Sequence, residues 1–211
     1  EGRFEEALAA SVASAGRCNG GPFVCDLLGT VNLAVHAAAA RCVAPRDFAT
    51  QASALLRNAA RPDNGERGQY LYFAAASLYA AQRLGLQSSI GRQVAELDVL
   101  AADAVDPRAR QLAAVVKANA LHLSGDSAQA IKMLQAMVDG SELFQVHSVL
   151  AAAYAAQGAI QEQQSQLDWM RRHRGRAYTE FAGSSVLQAL NVGDSQRGPS
   201  RPGCALSPDA S

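Results

Sequence analysis

Residues 118–137 read ANALHLSGDSAQAIKMLQAM, and residues 151–170 read AAAYAAQGAIQEQQSQLDWM. Laid over one another 33 positions apart, Ala118 falls on Ala151, Leu121 on Tyr154, Gly125 on Gly158, Leu134 on Leu167 and Met137 on Met170. Within each block the apolar residues recur at the three- and four-residue spacing of a helix face. Each block also carries one glycine at its centre, where a chain can leave one helix and enter the next. Asp126 follows the first of these glycines as an N-cap for the helix beyond it. The two blocks therefore predict two helix hairpins of the same design.

The same spacing extends outward in both directions, and nothing alternates with period two for long enough to suggest a sheet. Breakers divide the chain into expected helices at 3–15, 22–43, 46–60, 66–84, 88–104, 107–124, 126–139, 142–157 and 159–173, with a short one near 182–190. Pro22, Pro45 and Pro107 stand at or just before helix starts, where the missing N–H costs nothing. Gly85, Gly125, Gly140 and Gly158 suit helix ends, and Ser141 joins Asp126 as an expected N-cap. Connections of a few residues between helices of this length make neighbours antiparallel. The last residues, rich in Ser, Pro, Gly and Asp, read as a disordered tail, so the expected division is a helical domain over 1–190 and a tail over 191–211.

Composition agrees with close helix packing. Alanine supplies 44 of the 211 residues, and it is both the best helix former and small enough to let helix axes approach. Nineteen basic residues balance nineteen acidic ones, which removes the general electrostatic case for nucleic acid or an anionic membrane surface. Seventeen of the basic residues are Arg and only two Lys, a codon signature of a GC-rich bacterial genome. No stretch has the ~20 apolar residues of a membrane span. The chain opens on Glu1 rather than Met, and Gly2-Arg3-Phe4-Glu5-Glu6-Ala7 reads like the second half of a hairpin whose first helix is missing. Targeting is therefore unread; the cytoplasm is the default expectation and the periplasm the alternative.

The sequence of small residue, large residue, turn glycine, alanine, large residue at a 33-residue period resembles the tetratricopeptide repeat, whose period is ~34 residues. The resemblance spans about 108–173, with an echo at 1–15. It departs from the family pattern at Gln163, where a repeat alanine is expected, and in lacking a proline after Met137 or Met170. The fold it implies is all-α: a right-handed α-solenoid of antiparallel hairpins. The function it implies is a non-enzymatic interaction or regulatory module of a larger bacterial protein, with a peptide or protein partner in a concave groove. That partner could be another domain of the same full-length chain or a second copy. Mapped by register, the groove positions are Leu112, Val115, Asn119 and His122 in one repeat and Gln145, Ser148, Ala152 and Ala155 in the next. Asn119, His122, Gln145 and Ser148 are its polar contacts. Only Asn119 matches the residues that peptide-terminus-binding members use, so a carboxylate clamp is not expected. The RRHRGRAYTEF stretch, Arg171–Phe181, is also similar to the ends of repeat domains in bacterial multidomain regulators, nucleotide-cyclase-like proteins among them.

Residues that could carry chemistry are sparse. Cys18, Cys25 and Cys42 could be free thiols, a disulfide or, with His36, a metal site, but no CxxC spacing marks zinc. Cys204 lies in the tail. His36, His122, His147 and His173 match no paired-ligand spacing, and no nucleophile-elbow, phosphate-loop or dinucleotide pattern occurs. Neither a catalytic residue, a metal site nor a cofactor is expected. The one dense charge feature is Arg171, Arg172, Arg174 and Arg176 around His173. These cations could bind an anionic partner or nucleic acid, the alternative function, or simply complement the end of a helix.

Overall fold

The computed structural model describes residues 45–61, 65–83 and 85–179. Among these described residues the chain forms eight helices and no strand, so the fold is all-α. The expected helices at 3–15, 22–43 and 182–190, the tail, His36 and all four cysteines lie outside the described residues.

In chain order the helices are α1 (Pro45–Ala59), α2 (Arg67–Arg83), α3 (Gly91–Ala101), α4 (Pro107–Leu123), α5 (Ser127–Gln135), α6 (Phe144–Ala156), α7 (Ile160–Arg172) and α8 (Arg174–Thr179). Seven of them fall on expected helices. The six-residue α8 lies between the expected helices at 159–173 and 182–190 and was not expected. The helices α2, α4 and α6 pack side by side in that order. Each even helix also packs against its sequence neighbours, α1 and α3 for α2, α3 and α5 for α4, α5 and α7 for α6.

Burial follows this arrangement. In α1 the buried residues are Ala52, Leu55, Leu56 and Ala59, and in α5 they are Ser127, Ala130, Ile131 and Leu134, one face of a helix in each case. The helix α2 has neighbours on several sides: nearly every residue from Tyr70 to Gln82 is buried. So is almost all of α6 from Phe144 to Ala151. These two segments are buried on every side, as helices inside a core are, and their few polar residues, Ser77, Gln82, Gln145, His147 and Ser148, are buried with them. Alanines at Ala74, Ala75, Ala76, Ala80 and Ala81 let the helices around α2 approach closely.

The turns repeat as well as the helices. Gly85, Gly125 and Gly158 have φ of 93°, 99° and 70°, a left-handed conformation that side chains other than glycine's resist. After each, a backbone N–H reaches back five residues: Leu86 to Ala81, Asp126 to Leu121 and Ala159 to Tyr154, at 3.0, 2.9 and 3.0 Å. These bonds satisfy carbonyls that the helix end leaves unpaired. The last two turns stand 33 residues apart, as the sequence register requires.

Where helices begin or end differently from expectation, local polar bonds explain the difference. Asp126 does cap α5, accepting from Gln129 N, and Asp106 caps α4 with Pro107 in the first turn. Ser141 does not cap α6. Its N–H and hydroxyl both donate to Asp139 Oδ1 in a local turn, and α6 begins only at Phe144, with Leu143 at the cap position. The helix α3 is shorter than the expected 88–104, because Gln87–Ile90 stay in the connection and Ala102–Asp106 turn into α4.

Candidate functional site

The positions that the repeat register assigns to a groove are mostly engaged in holding helices together. Asn119 is buried on α4 and donates from Nδ2 to Gln82 Oε1 on α2 at 2.8 Å, while Gln82 Nε2 donates to the Val116 carbonyl at 2.9 Å. These two bonds, one to a side chain and one to a backbone carbonyl, stitch α2 to α4 through polar groups whose burial would otherwise cost free energy. His122 bonds through Nδ1 to Ser127 Oγ at 2.9 Å, across the α4–α5 turn, and burial lowers its pKa from the ordinary histidine value. Gln145 and Ser148 are buried on α6, and the Tyr79 hydroxyl donates to Ser148 Oγ at 3.5 Å, linking α2 to α6. Leu112 and Val115 have no exposed surface. Ser148, Ala152 and Ala155 meet Gln163, Leu167 and Met170 around a depression of about 60 Å³ between α6 and α7.

A larger concavity lies elsewhere. Between α3 and the C-terminal half of α4 is a cleft of about 640 Å³, within the size range of ligand-binding clefts. Ile90, Val94 and Ala95 line it from the α3 side, and Ala120, Leu121 and Leu123 from α4. Leu121 is only partly buried for this reason, although the sequence register pairs it with the buried Tyr154. The cause is the α2–α3 connection. Seven residues separate those helices, against three in the α4–α5 and α6–α7 turns, so α3 begins farther from the end of α2. Polar groups are few and partnered: Lys117 Nζ donates to Asp98 Oδ2 at 2.7 Å, and both belong to the lining. Gln87, Ser88 and Ser124 add neutral hydrogen-bonding groups.

The arginine stretch is built into a second polar region around the α5–α6 connection. Glu142 is 2% exposed, and its Oε1 accepts from His147 Nε2 at 3.0 Å while Oε2 accepts from the backbone N–H groups of Asp139 and Gly140. Burial alone would raise the carboxyl pKa, but the His147 and backbone hydrogen bonds outweigh it and hold it down to about 2. His147 also bonds through Nδ1 to Gln166 Oε1 at 2.7 Å. Its ring stacks on Trp169 with centroids 3.5 Å apart, and His173 stacks on the same indole at 4.1 Å. Two near-parallel rings this close to one centroid cannot share a face, so Trp169 is sandwiched between imidazoles. Arg176 places its guanidinium 5.4 Å from the indole centroid and donates to the Glu142 carbonyl at 2.7 Å. Arg171 is paired with Asp168, Arg172 Nε donates to the Asp168 carbonyl, and Arg174 is exposed.

Sequence reasoning located Asn119, His122, Gln145, Ser148 and the arginine cluster but missed the cleft, Glu142, His147 as a core residue, and Trp169. The only trace of the cleft in the sequence is the 40-residue spacing from Gly85 to Gly125 in place of 33, and the lone tryptophan was the one available pointer to the stacked cluster. Among the described residues no group of three or more His, Cys, Asp or Glu is placed to hold a metal, and no helix is long and apolar enough to cross a membrane. No protein-family model matches the chain, and neither a curated protein nor a solved structure matches it.

Proposed function

We propose that this chain is a tetratricopeptide-like right-handed solenoid that works by binding and not by catalysis, and that its partner is a peptide or protein segment inserting apolar side chains into the cleft between α3 and α4. The cleft is the observation that carries the reading. It is large and apolar, and its one ion pair is already internally matched, which suits hydrophobic anchors flanked by neutral polar groups. The repeat reading is supported by the α4–α5 and α6–α7 turns, which share glycine conformation and hydrogen bonding at a 33-residue interval. It is also supported by the side-by-side packing of α2, α4 and α6.

Selection of peptides from a displayed library tests this directly. Ala120 is partly buried in the cleft lining, so Ala120→Trp fills the cleft while leaving the opposite faces of α4 intact. Peptides enriched on the wild-type protein should carry apolar anchors and fail to bind Ala120→Trp at unchanged helicity. Peptides that bind both proteins equally would remove the cleft from the function.

A further inference from the structure

We propose that the Asp139–Gly140 peptide bond is a site of spontaneous backbone isomerisation, and that Glu142 keeps it closed in the folded chain. Asp139–Gly140 is the one Asp-Gly pair in the sequence. The chemistry of such a pair needs water but no enzyme. The Gly140 nitrogen attacks Cγ of Asp139, an N–C bond forms, and the carboxyl OH leaves with the amide proton as water. Water then adds to the main-chain carbonyl carbon of Asp139, whose bond to the Gly140 nitrogen breaks. The nitrogen stays on Cγ and the new carboxylate sits on Cα. No atoms are gained or lost, and the main chain now runs through one additional carbon. Glycine favours the first step because it has no side chain to shield its nitrogen, and Gly140 has open space where a Cβ would stand.

The fold holds both reacting groups back. The attacking nitrogen must give up its proton, and that N–H donates to Glu142 Oε2, as the N–H of Asp139 does at 3.0 Å. Glu142 is buried and its carboxyl is held down to about 2, so it is too weak a base to take the proton. The bond therefore fixes the N–H instead of activating the nitrogen. The attacked carboxyl loses its oxygen most readily when protonated. Ser141 opposes this, donating to Asp139 Oδ1 from its hydroxyl at 2.7 Å and from its N–H at 2.9 Å. These bonds hold the Asp139 carboxyl below the ordinary carboxylate value. Isomerisation then proceeds only while the α5–α6 connection is open, at a rate set by the population of that opening. In the product an extra carbon separates the two N–H groups that converge on Glu142 Oε2, so the buried carboxylate no longer collects both. The connection thereby carries a one-way record of the time it has spent open.

The experiment warms the full chain at neutral pH, digests it, and measures isoaspartate at residue 139 by electron-transfer mass spectrometry, which separates the two isomers at equal mass. The same chain unfolded in urea sets the open rate. Folded wild type is expected to isomerise at least about tenfold more slowly than the unfolded chain, the factor in rate that one charge-assisted hydrogen bond supplies. Glu142→Gln keeps the size of the side chain and removes its charge, so while still helical by circular dichroism it should isomerise severalfold faster than folded wild type. Should Glu142→Gln lose its helicity, Ser141→Ala serves in its place: Ser141 is exposed, and removing its hydroxyl leaves the Asp139 carboxyl easier to protonate, with the same severalfold gain expected. Folded wild type that isomerises as fast as the unfolded chain would overturn the proposal. So would a folded variant no faster than wild type, because the hydrogen bonds named here would then not be what protects the bond.

Discussion

Gly125 holds φ at 99°, with open space where a side chain would go. Gly125→Ala therefore meets no clash, and its cost is the left-handed backbone alone, about 1–2 kcal/mol. Gly91 also has open space but sits in the first turn of α3, so Gly91→Ala should be neutral or stabilising by up to about 1 kcal/mol. Urea denaturation of the two variants separates conformation from packing. Glu142 makes a different kind of prediction. Its carboxyl is depressed from 4.5 to about 2, so its contribution is fully present above pH 4.5 and disappears as pH falls through about 2. Acid unfolding of Glu142→Gln should thus lack part of the stability loss that the wild type shows in that window. Glu142→Ala should cost on the order of 3–5 kcal/mol at neutral pH, because it strands two backbone donors and His147. An Ala variant as stable as the wild type would show that the connection is held by something else.

Between elements, the strongest statement concerns α2 and α4. Gln82 and Asn119 are buried and joined by a hydrogen bond from Asn119 to Gln82, so Gln82→Ala and Asn119→Ala should be non-additive, with a coupling of about 0.5–3 kcal/mol in a double-mutant cycle. Additive losses would mean that the amides do not act as a pair. A second contrast tests the cleft wall. Leu112→Ala and Leu134→Ala remove fully buried side chains and should cost about 2–5 kcal/mol each. Leu121→Ala removes a side chain that already lines open space and should cost clearly less, against the full core penalty that its register position suggests. These elements also show what was legible beforehand. Helix positions and turn glycines depend on a few neighbouring residues, so the pattern around Gly125 and Gly158 was enough to place them. Asn119 was read from its register as a polar contact of the groove, and the partner its amide meets in the fold, Gln82, lies 37 positions away on α2. Ser141 misled because its own N–H and hydroxyl donate back to Asp139, and the helix starts only after Leu143.

For the molecule as a whole, one irregularity separates this arrangement from a uniform stack of hairpins. A seven-residue α2–α3 connection, where the later turns have three, opens the only large concavity described above. Sequence could reveal that the connection was longer but not which way α3 would move, because that depends on how Val94, Leu97 and Ala101 seat against α1, α2 and α4. The cluster at the other end was illegible for a related reason: Glu142, His147, Trp169, His173 and Arg176 become neighbours only when α6, α7 and α8 fold together. The central claim is that the α3–α4 cleft is where a partner docks. Methyl-resolved NMR of the full chain, titrated with a peptide selected on the wild-type protein, examines it most directly. Shifts concentrated at Ile90, Val94, Leu121 and Leu123, with the α6–α7 methyls unmoved, are the expected result; shifts at Leu167 and Met170 with the cleft methyls silent would contradict it.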